Sequence, residues 1–355
     1  MRSVRALKYG LPFVLFLAAG YAFQTRGWQV WIPMILVWIL IPSLELLIAP
    51  RPENLSTAEA EMARQDRFYD YLLYLSVPVQ YFMLYQFFIS MQAVELTVWE
   101  RAGRIGALGI LCGSFGINVA HELGHRVNRF EQFLAKMLLL TSLYMHFFTE
   151  HNKGHHKRVA TPADPSSARY GEMIYIFWFR TVIMGYLSAW HIAQEECVKK
   201  GKMKFGIHNE MIQFQLIQLL FIGLTYWLFG GWILLYFLGA AGMGILLLET
   251  VNYIEHYGLQ RKELGENRYE RAMPEHSWNS DHMIGRLFLF ELSRHSDHHY
   301  LASRKYQILR HHDQAPQMPT GYPGMMLLSL LPPVWFTVMN RRIQAYQAAH
   351  GVIAE

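Results

Sequence analysis

Six long apolar stretches restrict the fold of this chain more than any other feature of its sequence. Of its 355 residues, 52% are hydrophobic and only 17% are charged, whereas an ordinary soluble domain is about 25% charged. A helix needs about 20 mainly apolar residues to cross a bilayer. We therefore predict an all-α integral membrane protein with six transmembrane helices, at about residues 9–23, 28–49, 71–91, 105–120, 211–229 and 232–250.

Two other apolar stretches are predicted to be interfacial or buried helices that do not cross the membrane. Residues 133–148 are short for a crossing, and Arg180 interrupts the stretch at 173–192. If residues 133–148 did cross, the histidines before and after them would lie on opposite sides of the membrane. Six crossings instead place both termini and every histidine cluster on one side.

Basic residues predict which side this is. The N-terminus carries Arg2, Arg5 and Lys8, and further lysines and arginines flank the histidine clusters. Positively charged loops stay in the cytoplasm, so we predict a cytoplasmic active site. The parity also requires the first apolar run to remain as a membrane helix rather than to be removed as a signal peptide. We expect a single domain over residues 1–355, with cytoplasmic catalytic segments at 121–210 and 251–355.

Histidine clusters lie in these two segments. Imidazole is the most common metal ligand among side chains, and spacings of three or four residues place side chains on one face of a helix. A single His256 follows the sixth apolar stretch, and a lone histidine is more often structural than a ligand. The clusters are His121 and His125, then His151, His155 and His156, and finally His295, His298 and His299.

The number of histidines is informative. The clusters hold eight, and His256 would make nine, whereas about six is the ceiling for one first-row metal ion. The set therefore predicts two metals. The string from His121 to His125 also matches the HExxH pattern of zinc proteases, but such a zinc needs three protein ligands and leaves most of the histidines unexplained. Imidazole suits Zn, Cu, Fe and Ni, and a redox pair beside an apolar bundle favours iron with oxygen chemistry.

Other residue types narrow the chemistry. Cys112 and Cys197 form no CxxC pair, so the chain supplies no iron–sulfur or rubredoxin site of its own. His311 and His312 are predicted to be solvated loop residues. Four carboxylates are predicted to accept hydrogen bonds from the outer N–H groups of the ligands; they are Glu122, Glu255, Asp281 and Asp297.

Longer strings surround the histidines. They are HELGH from His121, FFTEHNKGHH ending at His156, NYIEHYGL ending at Leu259, PEHSWNSDH ending at His282, RHSDHH ending at His299 and PTGYPG ending at Gly324. In these strings and in their order, essentially the whole chain resembles the bacterial alkane 1-monooxygenases of the membrane fatty acid desaturase and hydroxylase superfamily.

The resemblance implies a fold, a site and a reaction. The reaction would insert one atom of O2 into a terminal C–H bond of a medium-chain n-alkane, in the bacterial inner membrane. Electrons would come from NAD(P)H through rubredoxin reductase and rubredoxin, and no nucleic acid partner is expected. Two non-haem irons would be held without any catalytic residue beyond their ligands, which would be His121, His125, His151, His155, His156, His256, His295, His298 and His299.

Other functions stay open at this point. They are a membrane desaturase, a hydroxylase of an acyl lipid or an aromatic methyl group, an intramembrane zinc protease built on HELGH, and a metal-binding transporter. A transporter predicts ligands inside the spans, whereas these histidines follow the ends of the spans.

For the alkane hydroxylase interpretation, Trp38 and Phe115 are predicted to limit the depth of an apolar channel. Lys153, Lys157 and Arg158 are predicted to face an acidic electron carrier.

Overall fold

Six apolar helices form the body of the protein. The computed structural model describes residues 3–266 and 268–350, so Arg2 of the basic N-terminal group lies outside the described residues. Within them, six helices are long and apolar enough to cross a membrane, which confirms the predicted number and indicates a multi-pass membrane protein. The six spans are Arg5–Gln24, Gly27–Leu47, Phe68–Met91, Val98–Gly124, Glu210–Phe229 and Gly231–His256.

The fourth and sixth spans are longer than the sequence predicted. The fourth begins at Val98 because Thr97 and Glu100 form a capping box, in which each side chain accepts a hydrogen bond from the other residue's backbone N–H. Its far end continues through His121 to Gly124, and the sixth span continues to His256. Polar residues extend these helices because the protein buries them, whereas hydropathy detects only the apolar part. Candidate ligands therefore lie on the last turns of two spans.

The fourth span lies at the centre of the bundle. Of its apolar window 78% is buried, against 17% for the fifth span, which faces outward. It packs closely against the sixth span where Gly244 meets Cys112 and Gly113. A Cβ atom on Gly244 would lie 2.6 Å from the Cβ atom of Cys112, so a larger residue does not fit there. Small residues at this crossing therefore let the two helices pack closely.

Neither of the two doubtful apolar stretches belongs to the six spans. The first divides between Arg129–Leu140 and Phe147–Glu150, and the second lies within the helix Ile174–Lys199. Arg180 in that helix donates to Glu172 at 2.7 Å and to the Pro165 carbonyl at 2.9 Å. This face of the helix therefore packs against polar groups of the protein.

Shorter elements fold over the ends of the fourth and sixth spans and cover the histidines. An antiparallel pair of strands, Glu263–Gly265 and Arg268–Tyr269, was not predicted. Trp278, Tyr322 and Trp335 are each at most 1% exposed. They pack against Tyr253, in the last turn of the sixth span, and Tyr257, just after its end. The remaining helices are Thr57–Gln65, His156–Arg158, Pro274–His276, Met283–Phe288, His295–Tyr300, Tyr306–Ile308, Tyr322–Ser329 and Pro332–His350.

Candidate metal centre

All nine candidate histidines come together in two adjacent groups. Within each group the ligand atoms lie within 4.8 Å of one another, and all but two of the nine residues are buried. We call them the five-histidine group, made of His121, His125, His151, His156 and His298, and the four-histidine group, made of His155, His256, His295 and His299.

The facing atoms have the spacing of ligands around an ion. Neighbouring Nε2 atoms lie 3.0 to 3.1 Å apart along the five-histidine group and 2.8 to 3.2 Å apart along the four-histidine group. Metal–imidazole bonds of about 2.1 Å at right angles put two nitrogens about 3.0 Å apart. Since a neutral imidazole nitrogen is either a single donor or a single acceptor, hydrogen bonds alone do not account for so many converging nitrogens.

A π-helical turn distributes the second cluster between the groups. Residues His151–His155 form this turn, whose backbone hydrogen bonds join residues five apart and so bring such residues onto one face. His151 and His156 therefore meet in the five-histidine group, with their Nε2 atoms 3.0 Å apart. His155 faces the other way and joins the four-histidine group. The four-residue spacing predicts that His151 and His155 share one face of an α-helix, which is wrong because the turn is π-helical.

The third cluster is divided in the same way. On the helix His295–Tyr300, His295 and His299 are one turn apart and share the four-histidine group, while His298 faces the five-histidine group. The fourth span supplies His121 at its end, and the sixth span supplies His256 as its last residue. Each group is thus tied to a different span, and the second and third clusters bridge the two groups.

The local electrostatics keep most of these imidazoles neutral. Burial, together with the positive charges of His155 and Arg126, lowers the pKa of His125 to about 3. Burial, with repulsion among the histidines, also puts the pKa of His151, His298 and His299 well below 6.5. A neutral imidazole has a free lone pair for a metal, so burial prepares the site for binding.

Asp164 is the carboxylate that sequence reasoning missed. Its Oδ2 atom accepts from Nδ1 of His155 at 2.9 Å and from the hydroxyl of Ser167 at 2.6 Å. Burial lowers the pKa of His155, but the charge and hydrogen bond of Asp164, together with the charges of Glu150 and Glu249, raise the pKa overall. In the described part of the chain this is the one hydrogen bond that joins the outer nitrogen of a candidate ligand to a carboxylate. Asp164 stands in a Pro- and Ser-rich loop with no diagnostic spacing, so only the fold reveals its partner.

Three of the four predicted partner carboxylates have other roles. Glu122 accepts from Arg126 at 2.6 Å, Asp281 accepts from Arg294 at 3.2 Å, and Asp297 pairs with Arg304. The prediction that they hold ligand N–H groups is wrong, because arginines pair with their oxygens instead.

Glu255 behaves differently from these three carboxylates. Its Oε2 atom lies 3.2 Å from Nε2 of His295, which is the nitrogen that faces the group, and its other oxygen accepts from Tyr322 at 2.7 Å. Glu255 is therefore placed at the rim of the four-histidine group rather than behind it.

The prediction for His311 and His312 is also wrong. His311 Nδ1 lies 2.6 Å from Asp281, and His312 Nε2 lies 2.6 Å from Asp297. Their side chains are only 14% and 20% exposed. The chain folds back after the third cluster and brings both imidazoles against buried carboxylates, so they support the loop and join neither histidine group.

The donor set fits a pair of iron ions. Five nitrogens in one group exceed the four ligands of a structural zinc, and imidazole donors suit iron. Four nitrogens with the nearby Glu255 carboxylate form a second set of similar size. A zinc protease site, which needs three ligands, leaves most of this arrangement without a use.

Comparison with known proteins agrees with this geometry. The profile of the fatty acid desaturase family matches residues 102–329. Alkane 1-monooxygenase 2 of Pseudomonas aeruginosa is 40% identical over 345 residues, covering 96% of this chain and 90% of that protein. Alkane 1-monooxygenase of Acinetobacter baylyi is 37% identical, with 97% and 86% covered.

A more distant relative extends the comparison. The hydroxylase component of a xylene/toluene monooxygenase from Pseudomonas putida is 27% identical, with 94% of this chain and 88% of that protein covered. All three relatives align over nearly the whole chain, but the two alkane enzymes are clearly more similar, at 40% and 37% identity against 27%. The chain belongs to the fatty acid desaturase family and, within it, to the alkane 1-monooxygenases.

Proposed function

We propose that this protein hydroxylates the terminal carbon of medium-chain n-alkanes with O2, at two non-haem irons held by the nine histidines. The observation that carries the proposal is the convergence of nine imidazole nitrogens into two groups at the ends of two membrane spans. The reaction consumes an alkane, O2, two electrons and two protons and yields a primary alcohol and water. Two bound irons supply the activation of O2, a chemistry that these side chains lack.

An apolar substrate explains why such a site stands at the end of a helix bundle. An alkane partitions into the bilayer and has no polar group to bind, so the protein positions it by shape. A small cavity of about 10 Å³ touches His121 and His298 of the five-histidine group, and Phe290, Leu292 and Leu309 supply its apolar wall. We propose that the terminal methyl group comes to rest beside the five-histidine group, against this apolar wall.

Phe115 is placed to limit how far a substrate enters. It is fully buried and stacks on Phe16 with ring centroids 4.0 Å apart. Its ring also meets the ring of Phe290, in the cavity wall, edge to face with the centroids 6.2 Å apart. Trp38 is half-buried. It packs against a separate buried cluster that contains Tyr253 and Trp335. Of the two aromatics predicted from the sequence, Phe115 is therefore the better candidate.

Replacing Phe115 with leucine is expected to shift the products towards longer alkanols. Leucine leaves space beside Phe290, and one methylene in an apolar pocket is worth about 1–3 kcal/mol of discrimination. The ratio of kcat/KM for decane over octane should rise about tenfold, measured by gas chromatography of the alcohols. The matched variant Trp38→Leu should change the ratio less. An unchanged ratio in Phe115→Leu, with normal folding and turnover, would remove Phe115 from the substrate path.

The electron donor acts in trans under this proposal. The chain has no CxxC pair to hold a rubredoxin iron, so we propose rubredoxin, fed by its reductase and NAD(P)H, as a separate partner. Of the predicted basic contacts, Lys153 pairs with Glu196 at 2.9 Å and Arg158 with Glu150 at 2.8 Å. Lys157 is exposed. The donor surface therefore has less free positive charge than the sequence indicated.

The even number of crossings bears on which side of the membrane the histidines face. The fourth and sixth spans end at the same face of the bundle, which carries the histidines. We propose that this face lies on the cytoplasmic side of the bacterial inner membrane, since Arg5, Lys8 and other basic residues accompany it. The whole chain then forms one catalytic unit.

Purified protein supplied with n-octane, rubredoxin, rubredoxin reductase, NADH and ¹⁸O2 should form 1-octanol with one labelled oxygen atom. An alkene as the main product would favour a desaturase instead. Failure to find a terminal alcohol across several chain lengths, with two irons bound and the donor turning over, would overturn the proposal. Peptide cleavage that depends on zinc would point to the protease.

A further inference from the structure

A lysine-rich loop joins the helix Ile174–Lys199 to the fifth span. Four lysines, Lys199, Lys200, Lys202 and Lys204, alternate with apolar residues within residues 199–208, which we call the lysine loop. Met203, Phe205 and Ile207 are 77%, 70% and 62% exposed. Exposed large apolar side chains beside several lysines are unusual on a surface that faces only water.

The position of the loop places these side chains at the membrane surface. The fifth span begins at Glu210, and the side chain of Asn209 caps it by accepting from the Met211 N–H at 2.9 Å. Phe205 and Ile207 therefore precede the span by only a few residues. The helix Ile174–Lys199, which leads into the loop, also has exposed apolar side chains, since Ile183 and Leu187 are more than half exposed. The exposed apolar atoms face the layer where phospholipid headgroups meet acyl chains.

A polar cleft opens beside the loop. It has a volume of about 240 Å³, and its lining includes Lys153, Lys200, Lys202 and His208 with two carboxylates, Glu196 and Glu210. Each carboxylate already has a lysine partner.

Because both carboxylates are paired with lysines, their negative charge is neutralised. Lys153 binds Glu196 at 2.9 Å, and Lys136 binds Glu210 at 2.6 Å. Lys200 reaches Glu196 only at 3.9 Å, and Lys202 makes no ion pair among the described residues. The cleft therefore keeps an excess of positive charge.

We propose that the lysine loop and the adjacent cleft bind the headgroup of an anionic phospholipid. The phosphate lies against Lys200 and Lys202, and the acyl chains run past Phe205 and Ile207 into the bilayer. An acidic soluble protein would also meet the lysines, but it would leave the exposed apolar side chains without a partner. The combination of charge and apolar surface favours a lipid.

Lys153 connects this surface to the metal centre. It belongs to the π-helical turn that carries His151 and His155, and it also lines the cleft. A headgroup bound there stabilises the turn, so anionic lipid is expected to raise the melting temperature of the protein. The inference rests on the membrane placement of the spans and not on the proposed reaction, so its test needs no turnover.

Native mass spectrometry of the purified full-length protein tests the proposal, with phosphatidylglycerol and phosphatidylcholine as probes. The wild type should retain phosphatidylglycerol in preference. Each lysine near an anionic surface contributes about fivefold in affinity, so Lys200→Gln/Lys202→Gln should weaken retention about 25-fold. The matched control Lys262→Gln/Arg268→Gln removes two exposed charges, one just before the strand pair and one within it, and should have no effect.

Three results would overturn the proposal. The two lipids could be retained equally, or the loop variant could retain phosphatidylglycerol as the wild type does. Inorganic phosphate could displace the lipid completely, which would make the cleft a site for free phosphate. If the loop variant instead lost affinity for rubredoxin while lipid retention stayed unchanged, the surface would be a protein-docking site. In contrast, phosphatidylglycerol that raises the melting temperature of the wild type but not of the loop variant would support the site.

Discussion

Replacing His256 with alanine is expected to lower the iron content from about two ions per chain to about one. His256 supplies one of only four nitrogens in the four-histidine group, and its Nε2 atom lies 3.1 Å from that of His295. The five-histidine group is built on the fourth span and keeps all its donors. Hydroxylation should fall by at least about a hundredfold, because even residues that only support metal ligands cost 10- to 100-fold. Iron analysis with Mössbauer spectroscopy measures the loss.

The control is another histidine outside both groups. His191 is 72% exposed and pairs with Glu195, so His191→Ala should keep two irons and full activity. A His256→Ala protein that still binds two irons with unchanged spectra would show that this histidine is structural, as a lone histidine usually is. Loss of both irons together would contradict the division into two groups.

Replacing Asp164 with asparagine is expected to weaken iron binding and activity by about 10- to 100-fold. The carboxylate fixes the orientation of His155 by accepting from its Nδ1 atom at 2.9 Å, and its negative charge makes the imidazole a stronger donor. Asparagine has nearly the same shape but no charge, and one of its two ends repels the N–H. Competition with an iron chelator measures the affinity, and the variant should lose iron from the four-histidine group first.

Asp281→Asn is the matched control for this experiment. Asp281 is 3% exposed and Asp164 is 2% exposed, but Asp281 pairs with Arg294 and His311 rather than with a candidate ligand. Its replacement should lower the melting temperature without changing the iron affinity. Equal loss of iron affinity in both variants would mean that Asp164 acts only through general stability.

The sequence predicted most of the frame for simple physical reasons. Six apolar blocks of crossing length leave few alternatives in a bilayer, and the parity of the crossings placed the histidines together. The ends of the fourth and sixth helices were predicted too early in the chain, since polar residues continue a helix when the protein buries them. Hydropathy carries no information about such burial.

The arrangement inside the site was less predictable. Spacing of three or four residues identifies a shared face only when the segment is an α-helix, and the π-helical turn at His151–His155 reverses that pairing. Asp164 reaches His155 from another loop, and His311 reaches Asp281 across a reversal of the chain. Contacts of this kind depend on tertiary packing, for which one sequence has no periodic signal.

The metal content of the purified wild-type protein tests the central claim most directly. Two groups of five and four imidazole nitrogens predict about two irons per chain, with little zinc, by inductively coupled plasma mass spectrometry. One zinc per chain with little iron would contradict the di-iron site, and with it the proposed hydroxylation.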